Sequence, residues 1–598
     1  MKIRDNLKDF KLLDWGIAGI IILLSFILYQ HPDIWHTGGS SIAYLRGHIF
    51  DFYDYNQKYF QVNNYMPTTY IIFAIWNIPI QIMGLVNEPT MFVGAFVRMW
   101  YKSCTTVFYI GTAYFLYKTC IALKVERKLA IIAAFLFITN PIAVFSQFIF
   151  GQYDILTTFF IVLGFYFYVK DDTWKFIGAF AVAITCKYFA LLFFIPLLLL
   201  KEKNIIKIIQ KIVLGVSLFL IESIFYWHSL AFREGVFGFS AAGYIFNLVW
   251  DLGFVKVSLA VMAWILLCAY AYFKNYENQD DLIKWSIYLT NIVTFITFGM
   301  SIWHPQWLII AVPFWTLGTF FSKKSDVFIL LDSMMMVFYT IFVVNFWTNN
   351  VDQSLFQGGI FRKFIDPVLL GQNLMMRDIY IIKDINLVFT CFVAILLVYT
   401  IFKHPKYSCD FKNVQIGKYI GIQRFRYLFG ILFFVVPSLI CLYVNFTKPN
   451  VIYFPEATGE EVSLDPMIDV STYSQIFTVS ANKITGISLK TATYGRVNDC
   501  IIEIELVDPS TGVSLGKGKS SAEKFINSEY NRINFDNEIL VETGKQYMIQ
   551  LKSIGVKADL SNCIALSALS NISNESYALI NGEKQAFNLE LKVFGTKN

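Results

Sequence analysis

The chain has 598 residues, 56% hydrophobic and 18% aromatic but only 15% charged, with a formal net charge of +6. Soluble proteins carry about 25% charged residues, and a mean hydropathy of +0.53 over this length excludes a soluble enzyme and places most of the chain in lipid. No dense basic segment stands free of the apolar runs, so nucleic acid is not an expected partner. The nine cysteines form no CxxC motif and no His/Cys cluster of the kind a zinc site needs.

In chain order, the basic start "MKIRDNLKDFK" leads into an apolar stretch at 12–30 with no small-residue cleavage site after it. It reads as a retained first helix. Further apolar runs lie near 68–85, 99–123, 128–146, 152–169, 174–200, 208–228, 254–274, 284–303, 306–321, 326–347, 385–402 and 426–446. Together they make about thirteen candidate transmembrane helices. The run at 174–200 is too long for one plain crossing and contains Lys187 and Pro196. It is expected to break into two half-helices, as broken spans do where they line a cavity.

Basic residues gather at 2–11, 124–128, 201–211, 323–324 and 403–426, which predicts a cytoplasmic N-terminus and cytoplasmic loops at those points. The opposite loops, 31–67, 147–153, 229–253, 303–306 and 348–384, are rich in Tyr, Trp, Phe, Asn and Gly. One conflict stays open. Three runs separate 2–11 from 124–128, where an even number is required, so either 68–85 does not cross fully or "KVERK" breaks the charge rule. The final run, 426–446, heads outward and leaves 447–598 outside the cell.

Residues 1–446 thus read as a polytopic α-helical membrane domain with a large first outer loop at 31–67. The tail changes period. "QIFTVSANKITGISLKTATYG", "CIIEIELVDPSTGVSLGKG" and "RINFDNEILVETGKQYMIQLKS" alternate apolar with polar between turn residues. That predicts an extracytoplasmic all-β sandwich of about eight strands over 447–598. Cys500 and Cys563 lie in it, either as a disulfide or as two buried thiols.

Polar side chains stand out at the outer ends of the helices. Asp33 follows the first run, Gln152 and Asp154 open the fifth, and Lys187 interrupts the sixth. His304 and Gln306 sit in "SIWHPQWLI", and Arg362 and Asp366 in "GGIFRKFIDP". Charge at membrane depth costs roughly 2.5–3.5 kcal/mol on insertion scales and marks functional sites by default. Plainer readings stand beside this one: Asp33 and Asp154 as helix caps, Lys187 as a side chain reaching for the surface, His304 as a packing residue. Asp51 and Asp54 read as ordinary loop acids.

The stretches "HPDIWHTGGSSIAYLRGHIFDFYDYN", "NPIAVFSQFIFGQYDILTTFFIVLGFYFYV", "AITCKYFALLFFIPLLLL" and "WHPQWLIIAVP", in that order, resemble the GT-C superfamily of membrane glycosyltransferases over about residues 10–325. The family plan puts an acid just after the first helix, where Asp33 stands. A Gly-Gln-x-Asp helix start is matched by Gly151, Gln152 and Asp154, and a following Lys-Tyr/Phe pattern by Lys187, Tyr188 and Phe189. Asp33 is followed by Ile34, where many relatives carry a second acid.

The resemblance implies a hexosyltransferase-type enzyme. It draws its donor from the bilayer as a polyprenyl-phosphate sugar, because no nucleotide sugars exist outside the cell. Asp33 would be the general base, with inversion at the anomeric carbon, and Asp154 the second acid of the site. Lys187 and Arg362, with Arg46 as a further cation, would hold the leaving phosphate, so neither metal nor other cofactor is expected. Gln152, His304 and Gln306 would bind sugar hydroxyls, and Tyr65 and Trp307 would stack on the rings. A composition poor in Ala and rich in Lys, Asn, Ile and Phe suits an AT-rich bacterial genome, and so a cell-surface glycan or polymer as acceptor. The competing reading is a transporter or flippase for a lipid-linked saccharide. A mere anchor for the sandwich does not need so many spans.

Overall fold

The computed structural model describes residues 12–60, 62–91, 93–238, 243–244, 246–347, 374, 376–414, 416, 420–447, 450–455, 461–556, 560–570 and 576–596. The chain divides into two compact units, 1–364 with 376–438 and 365–375 with 439–598.

The first unit is helical. Among the described residues, five helices are long and apolar enough to cross a membrane: Ile205–Tyr226, Gln279–Gly299, Ser325–Phe346, Ile385–Phe402 and Gly421–Val444. The number rises to seven if the bent pairs Leu12–Leu28 with Pro32–Leu45 and Arg127–Ile138 with Pro141–Ile149 each make one span. The apolar helices Asp154–Val169, Thr173–Cys186, Ala190–Lys201 and Leu259–Phe273 are shorter. This is a membrane protein, but its apolar runs do not map one to one onto straight spans. Hydropathy records where backbone avoids water; it does not record where a helix stops. The run at 306–321 shows why. It folds as a 3-10 turn at Pro305–Ile310 followed by the short helix Val312–Phe320, buried throughout. Irregular backbone at membrane depth is tolerated when protein surrounds it.

Burial separates perimeter from centre. Only 17% of the most apolar stretch of Ile205–Tyr226 is covered, against 72% for Gln279–Gly299. In the interior, Arg426 pairs with Asp332 at 2.9 Å and donates to the Leu136 carbonyl at 2.7 Å and to Thr139 Oγ1 at 3.0 Å. Tyr399 donates to the other Asp332 oxygen. A buried ion pair depends on added hydrogen bonds of this kind.

The stretch after the first helix folds as short helices at Pro32–Ser40, Ile42–Leu45 and Phe52–Asn56. The last two are packed with an aromatic cluster of Phe52, Tyr53, Tyr70, Tyr226 and Phe232, and the first contributes Ile34 and Trp35 to a separate core. The hairpin β1 (Val249–Asp251) and β2 (Lys256–Ser258) precedes Leu259–Phe273.

The second unit is an all-β region of two antiparallel sheets. Strands β5 (Thr472–Thr478), β7 (Ile501–Val507), β8 (Ser514–Ser521), β10 (Gln546–Ile554), β12 (Tyr577–Ile580) and β13 (Glu583–Lys584) form a six-stranded sheet in the order β13-β12-β5-β10-β7-β8. The seven-stranded sheet holds β3 (Asn450–Tyr453), β4 (Glu461–Pro466), β6 (Lys483–Ala492), β9 (Glu529–Leu540), β11 (Ala565–Leu569), β14 (Asn588–Leu589) and β15 (Leu591–Thr596). Alternate residues of both sheets, among them Phe477, Ile487, Leu489, Ile504, Ile549, Leu551, Leu591 and Val593, fill one core. This is more strands than the turn spacing predicts, because short strands of two to four residues give too little alternation to register. Cys500 and Cys563 are free and buried.

Candidate active site

Asp33 occupies the first turn of Pro32–Ser40, where Pro32 suits the opening position. The backbone N–H of Asp33 donates to His31 Nδ1 at 3.2 Å. That nitrogen is therefore unprotonated, and its 3.5 Å approach to the Asp33 carboxylate is not an ion pair. The helix lies close against its surroundings because of "TGGS": a Cβ on Gly39 would sit 2.2 Å from the Thr90 carbonyl oxygen. Asn77 ties the same helix down by donating to Gly38 O at 3.2 Å and Ser41 Oγ at 3.0 Å.

Gln152 and Asp154 follow a π-helical turn at Phe145–Ile149. Gly151, at φ +47°, makes the reversal that an L side chain resists, and Asp154 then opens the helix Asp154–Val169. The two polar side chains diverge. Gln152 Nε2 donates to Asp33 Oδ2, while its Oε1 accepts from Gln306 Nε2 at 2.8 Å. The Gln152 amide has only one way to serve both neighbours, so the chain Gln306 to Gln152 to Asp33 holds the carboxylate as a hydrogen-bond acceptor. Asp33 stays half-exposed, with Gln152 and Gln306 buried behind it.

Asp154 instead pairs with Lys187. Lys187 comes from the expected break: Thr173–Cys186 ends, Lys187 is extended, and Ala190–Lys201 begins. Its Nζ lies 4.4 Å from the centre of the Trp307 ring and 5.5 Å from that of Phe189.

Two cavities meet here. The first, of about 280 Å³, is polar, and its walls include Asp33, His36, Asn64, Tyr65, Gln152, Tyr153, His304, Gln306 and Trp307. The second, of about 500 Å³, is almost wholly apolar, with Leu191, Leu192, Phe219, Val261 and Trp264 on its walls and Lys187 as its charged group. Asn64, Tyr65 and Trp307 belong to both. Tyr65 is fixed by an edge contact with Tyr153 at 4.3 Å and by its carbonyl, which accepts from Tyr53 at 2.6 Å.

The structure therefore gathers Asp33, Gln152, His304, Gln306, Tyr65, Trp307 and Lys187 around one pair of cavities. Asp154 is on the wall of neither and acts as the counter-ion of Lys187. Arg46 is also on neither wall; it pairs with Glu88 at 2.8 Å, both half-exposed. Arg362 and Asp366 lie outside the described residues. Sequence reasoning missed His36, Asn64 and Tyr153. Asn64 and Tyr153 adjoin chosen residues ("NNYMP", "GQYD") and His36 follows Asp33 by three positions; closeness in the chain to a polar cluster was the one signal available.

His304 stacks on Trp347 at 4.3 Å and meets the tilted Trp307 ring at 5.0 Å, outside the helix Gln279–Gly299. Burial pushes its imidazole down to about 4, and the Lys187 charge adds to the effect. Between pH 6.5 and about 4 the unfolded chain binds this proton and the folded chain does not, so stability falls as pH falls through that window and is level above it. Thermal unfolding of the solubilised protein at pH 6.5 and pH 4.5 is expected to show a smaller drop for His304→Gln than for the wild type.

No protein-family profile matches the chain, and no curated protein matches its sequence. Among solved structures, the arabinosyltransferase EmbB from Mycobacterium smegmatis, determined by single-particle cryo-EM, aligns at a TM-score of 0.35 with 7% sequence identity, over 98% of this chain and 65% of that one. The chain thus spans less than two thirds of that enzyme's length. Similarity at this level identifies neither a fold nor an activity.

Proposed function

We propose that the protein is a membrane glycosyltransferase of the GT-C type, moving a sugar from a polyprenyl-phosphate donor to a glycan or polymer at the cell surface. The observation that carries this reading is the junction of the two cavities. A half-exposed carboxylate held as an acceptor faces a sugar-sized polar space. That space adjoins an apolar one with a lysine on its wall. A lipid-borne sugar has the same order of parts: apolar tail, phosphate, polar ring.

The isoprenoid tail lies along Leu191, Phe219 and Trp264, the phosphate reaches Lys187, and the sugar enters the polar cavity past Tyr65 and Trp307. An acceptor hydroxyl attacks the anomeric carbon from the side opposite the phosphate, and its proton passes to Asp33. The bond between the anomeric carbon and the phosphate oxygen breaks, and polyprenyl phosphate leaves with the electron pair. The configuration at that carbon inverts. One N–H of the Lys187 ammonium is taken by Asp154; the others are available where negative charge builds on the leaving group. The charge pattern of the loops supports a cytoplasmic N-terminus.

The test is reconstitution in vesicles with a radiolabelled polyprenyl-phosphate sugar and a cell-wall acceptor. The reading expects label in the glycan and unlabelled polyprenyl phosphate in equal amount. Label that crosses the bilayer still attached to lipid would make the protein a flippase.

A further inference from the structure

We infer that Lys102 is a positioning residue for the proposed transfer reaction: it sets the spacing between the segments that carry Asp33 and Gln152. Lys102 lies within the helix Ala95–Ala122 and has no solvent exposure. Its Nζ lies within hydrogen-bond distance of four carbonyls, those of Ser25 and Phe26 at 3.0 Å each, Tyr29 at 2.5 Å and Phe148 at 2.7 Å, which share its N–H groups. No carboxylate pairs with it among the described residues.

The choice of carbonyls is informative. Those of Ser25, Phe26 and Tyr29 lie at and just beyond the C-terminal end of Leu12–Leu28, where carbonyls run short of amide partners; that of Ser25 also accepts from Tyr29 N at 3.4 Å. Phe148 belongs to the π-helical turn before Gly151, and a Cβ on Gly151 would be 3.9 Å from Lys102 Cε. Tyr29 comes just before Asp33 in the chain, and Phe148 just before Gln152. One side-chain nitrogen thus joins the two backbones immediately upstream of the Gln152–Asp33 hydrogen bond. An apolar side chain of the same length offers no donor and could not gather carbonyls from two segments on one point. The same helix grips the π-turn a second time, where Gln147 Nε2 donates to Thr105 Oγ1 at 2.9 Å. Loss of Lys102 is therefore expected to loosen the spacing without releasing the segment.

This inference rests on the transferase reading, and its test separates the two. Lys102→Met and Gln152→Ala are each expected to lower kcat roughly 10–100-fold, with the donor KM changed less than about threefold, because the loss is one of alignment. The two act through one contact, so the double variant is expected to be no slower than the slower single. Singles whose effects multiply in the double, or a Lys102→Met enzyme with wild-type kcat per folded molecule, would overturn the inference. A second readout needs no activity. Asp33→Cys with Gln152→Cys is treated with a short bis-methanethiosulfonate, and the linked peptides are measured by mass spectrometry. Linking is expected to fall severalfold when Lys102→Met is added. Linking that ignores residue 102 sinks the inference even if sugar transfer is observed; linking that depends on it, in a protein that transfers no sugar, keeps the spacing role and removes the transferase reading.

Discussion

Asp33→Asn is expected to lower kcat about 10²–10⁴-fold, the range that general-base assistance supplies, or about 2.7–5.4 kcal/mol in the barrier. The substitution isolates proton acceptance. The Asn carbonyl oxygen can still accept from Gln152 Nε2, so the chain of amides back to Gln306 survives. The side chain is half-exposed, so no unpartnered charge is created by the change. Donor KM and the thermal unfolding midpoint are expected to stay near the wild-type values, because the proposed sites for the phosphate and the tail lie elsewhere. Steady-state assays on the reconstituted variant check this. A rate within a few-fold of wild type would show that another group accepts the proton.

The second large effect concerns Asp154 and Lys187, which are both buried and paired with one another. Asp154→Asn strands the ammonium, and Lys187→Met strands a carboxylate whose Oδ2 already lacks a hydrogen-bond partner among the described residues. Breaking a buried pair from one side costs about 3–5 kcal/mol, so each single variant is expected to unfold well below the wild-type temperature. The double variant Asp154→Asn with Lys187→Met removes both charges and is expected to recover most of that stability. It is not expected to recover transfer, because no cation remains beside the leaving phosphate; a deficit of about 10²–10³-fold is anticipated. Stability and activity thus separate at this pair. A stable, fully active double variant would assign the lysine to structure alone.

Much of the site was legible because lipid makes polar residues conspicuous. Gln152, Lys187, His304 and Gln306 stand out against apolar neighbours, and the structure brings them together from separate segments of the chain. The break at Lys187 was legible for the same reason. Asp154 was legible as a costly group, but its partner was not: the sequence shows that a charge is present without showing which way its side chain turns from Gln152. Arg46 reads equally well as a phosphate ligand until Glu88, far along the chain, pairs with it. Lys102 gave the weakest signal of all. It lies in a long apolar run that looks like any other span, and its partners are backbone carbonyls, which no residue type announces. The count of about thirteen spans is not confirmed, for a related reason. Apolar runs persist through breaks, 3-10 turns and buried irregular backbone, and the period of the hydrophobic pattern is lost where a helix is covered on all sides.

The two adjoining cavities are most directly tested by a cryo-EM structure of the reconstituted protein with a non-transferable polyprenyl-phosphonate sugar. The expected density has the tail along Leu191 and Trp264, the phosphonate at Lys187, and the anomeric carbon facing Asp33 between Tyr65 and Trp307. Density for the lipid in another groove, such as the apolar one walled by Ile71, Ile75, Ile78 and Phe225, with the Asp33 cavity holding no sugar, would contradict the account.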